Sequence, residues 1–519
     1  MSDRVLIVDF GSQYSQLIAR RIRELHVFCE LLPWNAEPAR LLTENTKGII
    51  LSGGPNSIYD QDAPSIQPTL LESGLPVLGI CYGMQALAHQ LGGSVEPSGE
   101  HEYGQTRLEV DYPNPLLSGN LRVLMSHGDR ITKLPPGWVK LAHTPNSPVA
   151  AMADLQRGWF GLQFHPEVGD TPGGLEILRR FAFDICGCQP NWTAASMIEE
   201  AISEIRETVG EGEVLSAVSG GLDSAVATAL VVKALDTHVK GMFIDTGLMR
   251  ADEREQVEAA FKPVMGGHFI SIDASQRFFA QLSGVTDPET KRKRIGETFI
   301  REFEAGARQM GDFDFLCQGT IYPDVIESQG VGTHAGQLIK SHHNVGGLPE
   351  DMDFKLVEPL RNLFKDEVRQ VGEALGLPHE LLWRQPFPGP GLAVRCLGEV
   401  TPARVATLRQ ADHIFTSELG KAGLLHLEED DDGALRGSSQ SFAVLLPVRS
   451  VGVMGDKRTY AETICLRAIT TVDFMTAGWA KLPMDLLSHV SNRIVNEVPG
   501  VNRVVYDITN KPPATIEWE

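Results

Sequence analysis

No stretch of the 519 residues is long and apolar enough to span a bilayer; the longest apolar runs, such as 76–81, are strand-sized. Basic residues are in deficit, 46 Lys and Arg against 67 Asp and Glu, for a formal net charge of −21. That balance argues against broad nucleic-acid binding, which needs a basic surface, and still allows a local basic pocket for phosphates. Cysteine is sparse as well: seven, scattered and odd in number, so no disulfide framework is expected. Cys186-Gly187-Cys188 is too closely spaced for half a zinc site and has no matching second pair. No charged leader with an apolar core precedes the first strand-like residues, which points to a cytoplasmic protein. Internal repeats are missing too. What remains is ordinary globular composition, 42% hydrophobic and 22% charged, at a length that predicts three or four domains of about 150 residues.

The pattern along the chain divides it in three. Apolar runs at 5–10, 47–51 and 76–80 alternate with helix-like segments, the first carrying Leu17, Ile18, Ile22 and Leu25 on one side. This βα alternation predicts a largely parallel, doubly wound sheet, where chemistry gathers at the carboxyl ends of strands. Gln189-Pro190-Asn191 breaks it. A helix over 194–209 follows, with Ile198, Ile202, Ile205 and Val209 on one face, and then strands at 213–218, 239–244, 269–272 and 313–317. Pro386-Phe387-Pro388-Gly389-Pro390-Gly391-Leu392 suits neither a helix nor a central strand and marks the second boundary. The expected architecture is α/β: doubly wound parallel-sheet domains at 1–190 and 191–390, then a smaller α+β domain at 391–519. The acidic run 428–433 inside the last reads as a solvated surface loop.

Gly79-Ile80-Cys81-Tyr82-Gly83 has the form of a nucleophile elbow, a strand meeting a helix through a turn that needs glycine on both sides. A helix N-terminus aimed at the sulfur favours thiolate. On its own the string fits a reactive cysteine or a core cysteine equally. Phe164-His165-Pro166-Glu167, after a strand at 159–163, adds a histidine to serve as base and a carboxylate to orient it. Ser52-Gly53-Gly54-Pro55 adds backbone N–H groups able to approach an oxyanion. These three strings together resemble the class I glutamine amidotransferases. The resemblance implies a glutamyl thioester on Cys81, acid–base work by His165, orientation by Glu167, and an oxyanion hole from the N–H groups of Gly54 and Tyr82. It also places Gln85 and Ser126-His127-Gly128-Asp129 in a glutamine pocket.

A second string, Ser219-Gly220-Gly221-Leu222-Asp223-Ser224, sits between a strand and a helix, where backbone N–H groups can close around an anion. It lacks the spacing and lysine of a Walker A loop. It resembles the pyrophosphate loop of N-type ATP pyrophosphatases, which implies ATP as substrate, adenine near Phe243 and Ile244, and Mg2+ held by Asp223. Lys291-Arg292-Lys293-Arg294 reads as a solvated helix start with local anion contact.

Strings 318–328, 339–347 and 511–519 read individually as polar loops or a tail. With the Pro-Gly segment they resemble the glutamine-hydrolysing GMP synthase family, along the whole chain. The resemblance implies XMP as acceptor, a catalytic lid with Asp324, Glu327, Lys340 and Ser341, and XMP contacts from Gly389, Gln440, Lys511, Ile516 and Glu517. It further implies a homodimer formed through the third domain, without nucleic-acid or membrane partners. The acidic stretch at 428–438 is longer than that family pattern. An NAD synthetase would pair its loop with a nitrilase-type glutaminase and lack the Cys81 and His165-Pro166-Glu167 strings. A tRNA-modifying enzyme conflicts with the net charge, and a noncatalytic sensor with the intact set of reactive residues.

Overall fold

The computed structural model describes residues 2–329, 354–429, 435–454, 457–471, 474 and 476–519. Lys340 and Ser341 lie outside the described residues, as do 430–434 of the acidic run. Two compact units emerge: one takes the chain up to Glu200 together with Tyr322–Gln329, the other the remaining described residues.

The first unit is built on a nine-stranded sheet. Its strands are β1 (Arg4–Asp9), β2 (Phe28–Pro33), β3 (Thr46–Leu51), β4 (Val77–Ile80), β5 (Ser94–Val110), β6 (Leu121–Lys133), β7 (Val139–His143), β8 (Ala151–Asp154) and β9 (Trp159–Leu162), in the order β2-β1-β3-β4-β9-β8-β7-β5-β6. β1, β3, β4 and β9 are buried along nearly their whole length, as strands covered on both faces must be, and they pair in parallel. The expectation of a largely parallel sheet holds only for β2-β1-β3-β4-β9. From β9 to β6 the pairing is antiparallel. The physical reason shows in β6, whose burial alternates over Arg122–His127, the mark of a sheet with one solvated face. The helix Ser15–Glu24 presents Ile18, Ala19 and Ile22 to the core. The carboxyl ends of β3, β4 and β9 then deliver residues 52–54, Cys81 and His165 to one edge of the sheet.

The second unit begins with an all-parallel sheet, β10 (Val214–Ala217), β11 (Val239–Asp245), β12 (Phe269–Asp273), β13 (Phe315–Cys317) and β14 (Lys355–Val357), in the order β12-β11-β10-β13-β14. The order reverses at β10, so the crevice beyond that strand is a topological switch point. The helices Leu222–Leu235, Glu253–Met265 and Pro288–Met310 connect these strands. The later residues form a separate sheet: an antiparallel hairpin of Gln440–Met454 with Lys457–Thr470, joined by Gly478–Trp479 and, in parallel, by Val501–Tyr506. One apolar core runs through both parts, from Leu215, Met242 and Phe303 to Phe415, Leu445 and Ile494.

Two local readings are corrected. The string 318–328 is not a loop throughout, because Tyr322–Gln329 is a helix with Tyr322 buried and its hydroxyl oxygen accepting from Leu31 N–H. Lys291 is not at a solvated helix start. The helix begins earlier, at Pro288, with Asp287 capping Thr290 N–H, and that shift turns Lys291 fully inward.

Candidate active site

β4 ends in Cys81, whose φ of 51° and ψ of −107° put a non-glycine residue in a region that costs about 1–3 kcal/mol. The surrounding packing enforces it. A Cβ on Gly83 would sit 2.4 Å from the Leu51 carbonyl oxygen, and Gly83 N–H donates to Ser52 O at 3.0 Å. Cys81 N–H donates to Leu162 O at 2.7 Å, which fastens the elbow to the end of β9. Three residues beyond Leu162, His165 is buried with its Nδ1 2.7 Å from Glu167 Oε1. Glu167 is fully buried, and its Oε2 has no hydrogen-bond partner among the described residues. Gly53 backs the imidazole, its Cβ position lying 3.3 Å from His165 Cε1.

Burial would push the His165 imidazole down. Hydrogen bonds with Cys81 and Glu167, and the charges of both, outweigh it and hold the ring up at about 10. His165 is therefore an imidazolium at neutral pH, facing the Cys81 sulfur. Gly54 packs on the Tyr82 ring, with its Cβ position 3.3 Å from Tyr82 Cγ. Tyr82 opens the helix Tyr82–Gln90, where first-turn N–H groups lack an intrahelical acceptor. Its own hydroxyl donates to Pro64 O at 2.6 Å, and burial, then Asp60, pushes that phenol up to about 12, so the ring is structural.

The other pocket residues divide. Gln85 is buried and donates from Nε2 to Asp129 O at 3.0 Å, and Ser126 O lies 3.7 Å from Cys81 Sγ. The His127 ring is committed elsewhere: Nδ1 to Asp129 O at 2.9 Å, Nε2 toward Ser147 Oγ at 3.2 Å and Glu102 at 3.3 Å. Burial would raise the Glu102 carboxyl, yet hydrogen bonds from His127, Ser147 and Thr144 hold it below its usual value. His127 thus shapes the β5–β6 hairpin that presents Ser126. The Asp129 carboxylate accepts from Ser57 Oγ at 2.7 Å.

In the second unit the loop 219–224 folds on itself. Ser224 Oγ accepts from Ser219 N–H at 3.2 Å and donates to Gly221 O at 3.1 Å, while Gly220 takes a φ of 82°. Asp223 lies in the first turn of Leu222–Leu235, and Lys365 Nζ stands 3.8 Å from its Oδ2. Arg384 donates to Gly220 O at 2.8 Å and pairs with Glu253 at 3.3 Å. Phe243 and Ile244 are buried at the end of β11.

The tail residues gather around three buried cations, Arg395, Arg467 and Lys291. Glu517 accepts from Arg395 at 2.8 and 3.1 Å and from Gln440 Nε2 at 3.2 Å, and Gln440 also donates to Pro386 O at 3.1 Å. Arg467 Nε donates to Ile516 O at 2.8 Å. Lys511 is not drawn into this group; its Nζ donates to Phe474 O at 2.8 Å. Gly389 is exposed, three residues past Pro386. Lys291 donates to Cys396 O at 2.9 Å and Glu519 Oε2 at 2.5 Å. Asp324 and Glu327 fall on the helix Tyr322–Gln329, in the first unit.

Comparison with known proteins bears on both ends of the chain. Residues 6–185 match the family described as glutamine amidotransferase class-I, and residues 428–518 the GMP synthase C terminal domain. The chain is 57% identical to a glutamine-hydrolysing GMP synthase of Thermomicrobium roseum, covering 100% of this chain and 97% of that one. It is 53% identical to another from Carboxydothermus hydrogenoformans, covering all of both. The chain belongs to the glutamine-hydrolysing GMP synthase family. A solved structure of a glutamine amidotransferase from Thermotoga maritima is 22% identical over 40% of this chain and 86% of its own, with a TM-score of 0.27.

Within a glutamine-hydrolysing GMP synthase, four residues absent from the sequence reading gain interest. Gln163 Nε2 lies 3.7 Å from the Cys81 sulfur, and its place two residues before His165 was the available signal. Lys365 and Arg384 bring positive charge to the glycine loop; Arg384 stands two residues before the Pro-Gly segment. Arg395, fully buried against the Phe442 ring at 4.0 Å, had no local signal.

The raised His165 value has a sign. Its protonated form contributes stability that is complete below the unfolded value of about 6.5 and is lost as pH climbs through about 10. Glu167→Gln removes one of the two groups that raise it. The alkaline limb of kcat/KM for glutamate release is therefore expected to move to lower pH in that variant. An unmoved limb would assign it to another group.

Proposed function

We propose that this enzyme makes GMP in two coupled half-reactions, each on one of the sites above. Cys81 attacks the glutamine side-chain amide, and the oxyanion faces the N–H groups of Gly54 and Tyr82. The His165 imidazolium gives its proton to the departing ammonia, then as neutral imidazole takes one from water, which hydrolyses the thioester to glutamate. In the second half, ATP adenylates the 2-carbonyl oxygen of XMP and releases pyrophosphate. Ammonia then displaces AMP to leave GMP. The buried His165–Glu167 pair beside Cys81, in one chain with a glycine loop that Lys365 approaches, is the observation that carries the reading.

The loop N–H groups, Lys365 and the start of Leu222–Leu235 would cradle the ATP phosphates, with adenine against the end of β11. Asp223 would hold Mg2+. One carboxylate beside phosphate oxygens is the donor set this ion prefers, and it would neutralise charge on the departing pyrophosphate. Gln440, Ile516 and Glu517, with Gly389 and Lys511, would contact XMP; the division of labour runs over 1–190, 191–390 and 391–519. Asp324, Glu327, Lys340 and Ser341 would form the lid. A cytoplasmic setting fits a chain in which no helix among the described residues is long and apolar enough to cross a membrane. No nucleic-acid partner is needed for this chemistry. The test is consumption of XMP: GMP should form only with XMP, ATP and a nitrogen source together, and GMP formation without XMP consumption would contradict the reading.

A homodimer is part of the proposal. Val451 and Tyr460 pair across the hairpin, and Val453 lies two residues along the same face. They are 50%, 64% and 72% exposed, an apolar stripe that a second copy would cover. Val453→Asp is expected to shift the solution mass from dimer to monomer in light scattering. An unchanged mass would place the interface elsewhere.

A further inference from the structure

The Cys81 sulfur meets two neutral groups besides His165. Ser126 O lies 3.7 Å away; it can accept from a thiol S–H and opposes the anion. The Gln163 side-chain nitrogen lies at the same distance. Which end of that amide faces the sulfur follows from its neighbours. Gln85 Nε2 donates to Asp129 O at 3.0 Å and to Gln163 Oε1 at 3.2 Å, which uses both of its hydrogens and makes the Gln163 oxygen the acceptor. The NH2 group is left for the sulfur. Gln163 is fully buried, so bulk water does not compete for its side-chain amide, and its backbone N–H donates to Ala150 O at 2.9 Å.

We infer that Gln163 is a further catalytic residue of the glutaminase, its side-chain amide donating a hydrogen bond to the Cys81 thiolate while Gln85 holds that amide in the donating orientation. The inference rests on Cys81 being the nucleophile. A donor at a thiolate has two opposed effects. It increases the ionised fraction tenfold per unit of lowered thiol pKa, and it blunts intrinsic reactivity by only about threefold, given a Brønsted slope of about 0.4–0.5. While the thiol titrates above the working pH, the first effect wins. The charged groups around the sulfur are few. His165 faces it with Glu167 behind, and Tyr82 is neutral on the elbow helix. From β6, Asp129 is bonded to Ser57, and His127 to Glu102. Of these only His165 also hydrogen-bonds the sulfur, so Gln163 is the neutral donor beside it.

The experiment measures alkylation of Cys81 by iodoacetamide against pH in the full chain, read at the Cys81 peptide by mass spectrometry, with Cys81→Ala as blank. Gln163→Met keeps the volume and removes the donor; Gln163→Glu keeps the shape and offers only acceptors once ionised. The alkylation midpoint is expected to rise by about one unit in the first variant and further in the second. Glutamine-dependent kcat/KM should fall about threefold for each unit of that rise, with the thermal unfolding midpoint as the folding control. A midpoint equal to wild type in both folded variants would overturn the inference. Should the methionine variant fail to fold, the near-isosteric glutamate variant decides alone. If Cys81→Ala still hydrolyses glutamine, the underlying assignment of the nucleophile fails instead.

Discussion

Cys81→Ala is expected to lose glutamine-dependent GMP formation by about 10⁴-fold or more, while GMP formation from added ammonium persists. On the proposed mechanism the size follows from covalent catalysis: without the sulfur no thioester would form, and His165 and the oxyanion donors would have no nucleophile to activate. The survival of the ammonium reaction follows from placement, since Cys81 sits at the end of β4 in the first unit and the glycine loop lies in the second. Alanine is also the mildest replacement there. Glycine neighbours already shape the elbow, and the φ of 51° is no harder for alanine than for cysteine. Steady-state GMP assays with each nitrogen donor check this. Equal loss with both donors would contradict the division of labour.

Asp223→Ala should fail in the complementary way, with GMP formation lost from glutamine and ammonium alike. The carboxylate stands in the first turn of Leu222–Leu235, where the helix dipole and Lys365 both favour anions, so removing it does not weaken phosphate attraction by itself. On the proposed reading, what would go is an oxygen ligand for Mg2+, which would supply neutralising charge to the departing pyrophosphate. A loss of about 10²–10³-fold in kcat is expected, as for other preorganised electrostatic groups. Chelation of Mg2+ in the wild type should reproduce it. Pyrophosphate release measures the effect, and Cys81 alkylation should be unchanged because the first unit is untouched. Wild-type rates of pyrophosphate release in Asp223→Ala would remove this residue from the mechanism.

The strings most legible in the sequence were those whose chemistry is local. A nucleophile elbow needs small residues on both sides of the sulfur, and the Gly83 approach to Leu51 O shows why. The glycine loop is likewise set by its own strand and helix. Distant partners were invisible. Lys291 looked solvated because the residues that bury it, Ala393, Cys396 and Glu519, lie more than a hundred positions away. The antiparallel half of the first sheet was missed because β5 and β6 carry many polar residues, so apolar runs do not announce them. His127 was expected at the substrate; only the fold shows that Glu102 and Ser147 engage its ring. Gln163 stood in plain view, yet its contact with Cys81 depends on β9 lying beside β4.

The most direct test of the account follows two isotopes through one turnover, with amide-¹⁵N glutamine as nitrogen donor and XMP labelled with ¹⁸O at the 2-carbonyl. If Cys81 releases the nitrogen and ATP adenylates the XMP oxygen, mass spectrometry will find ¹⁵N in GMP and ¹⁸O in the phosphate of AMP. Recovery of ¹⁸O in pyrophosphate or water, or of GMP without ¹⁵N, would contradict it.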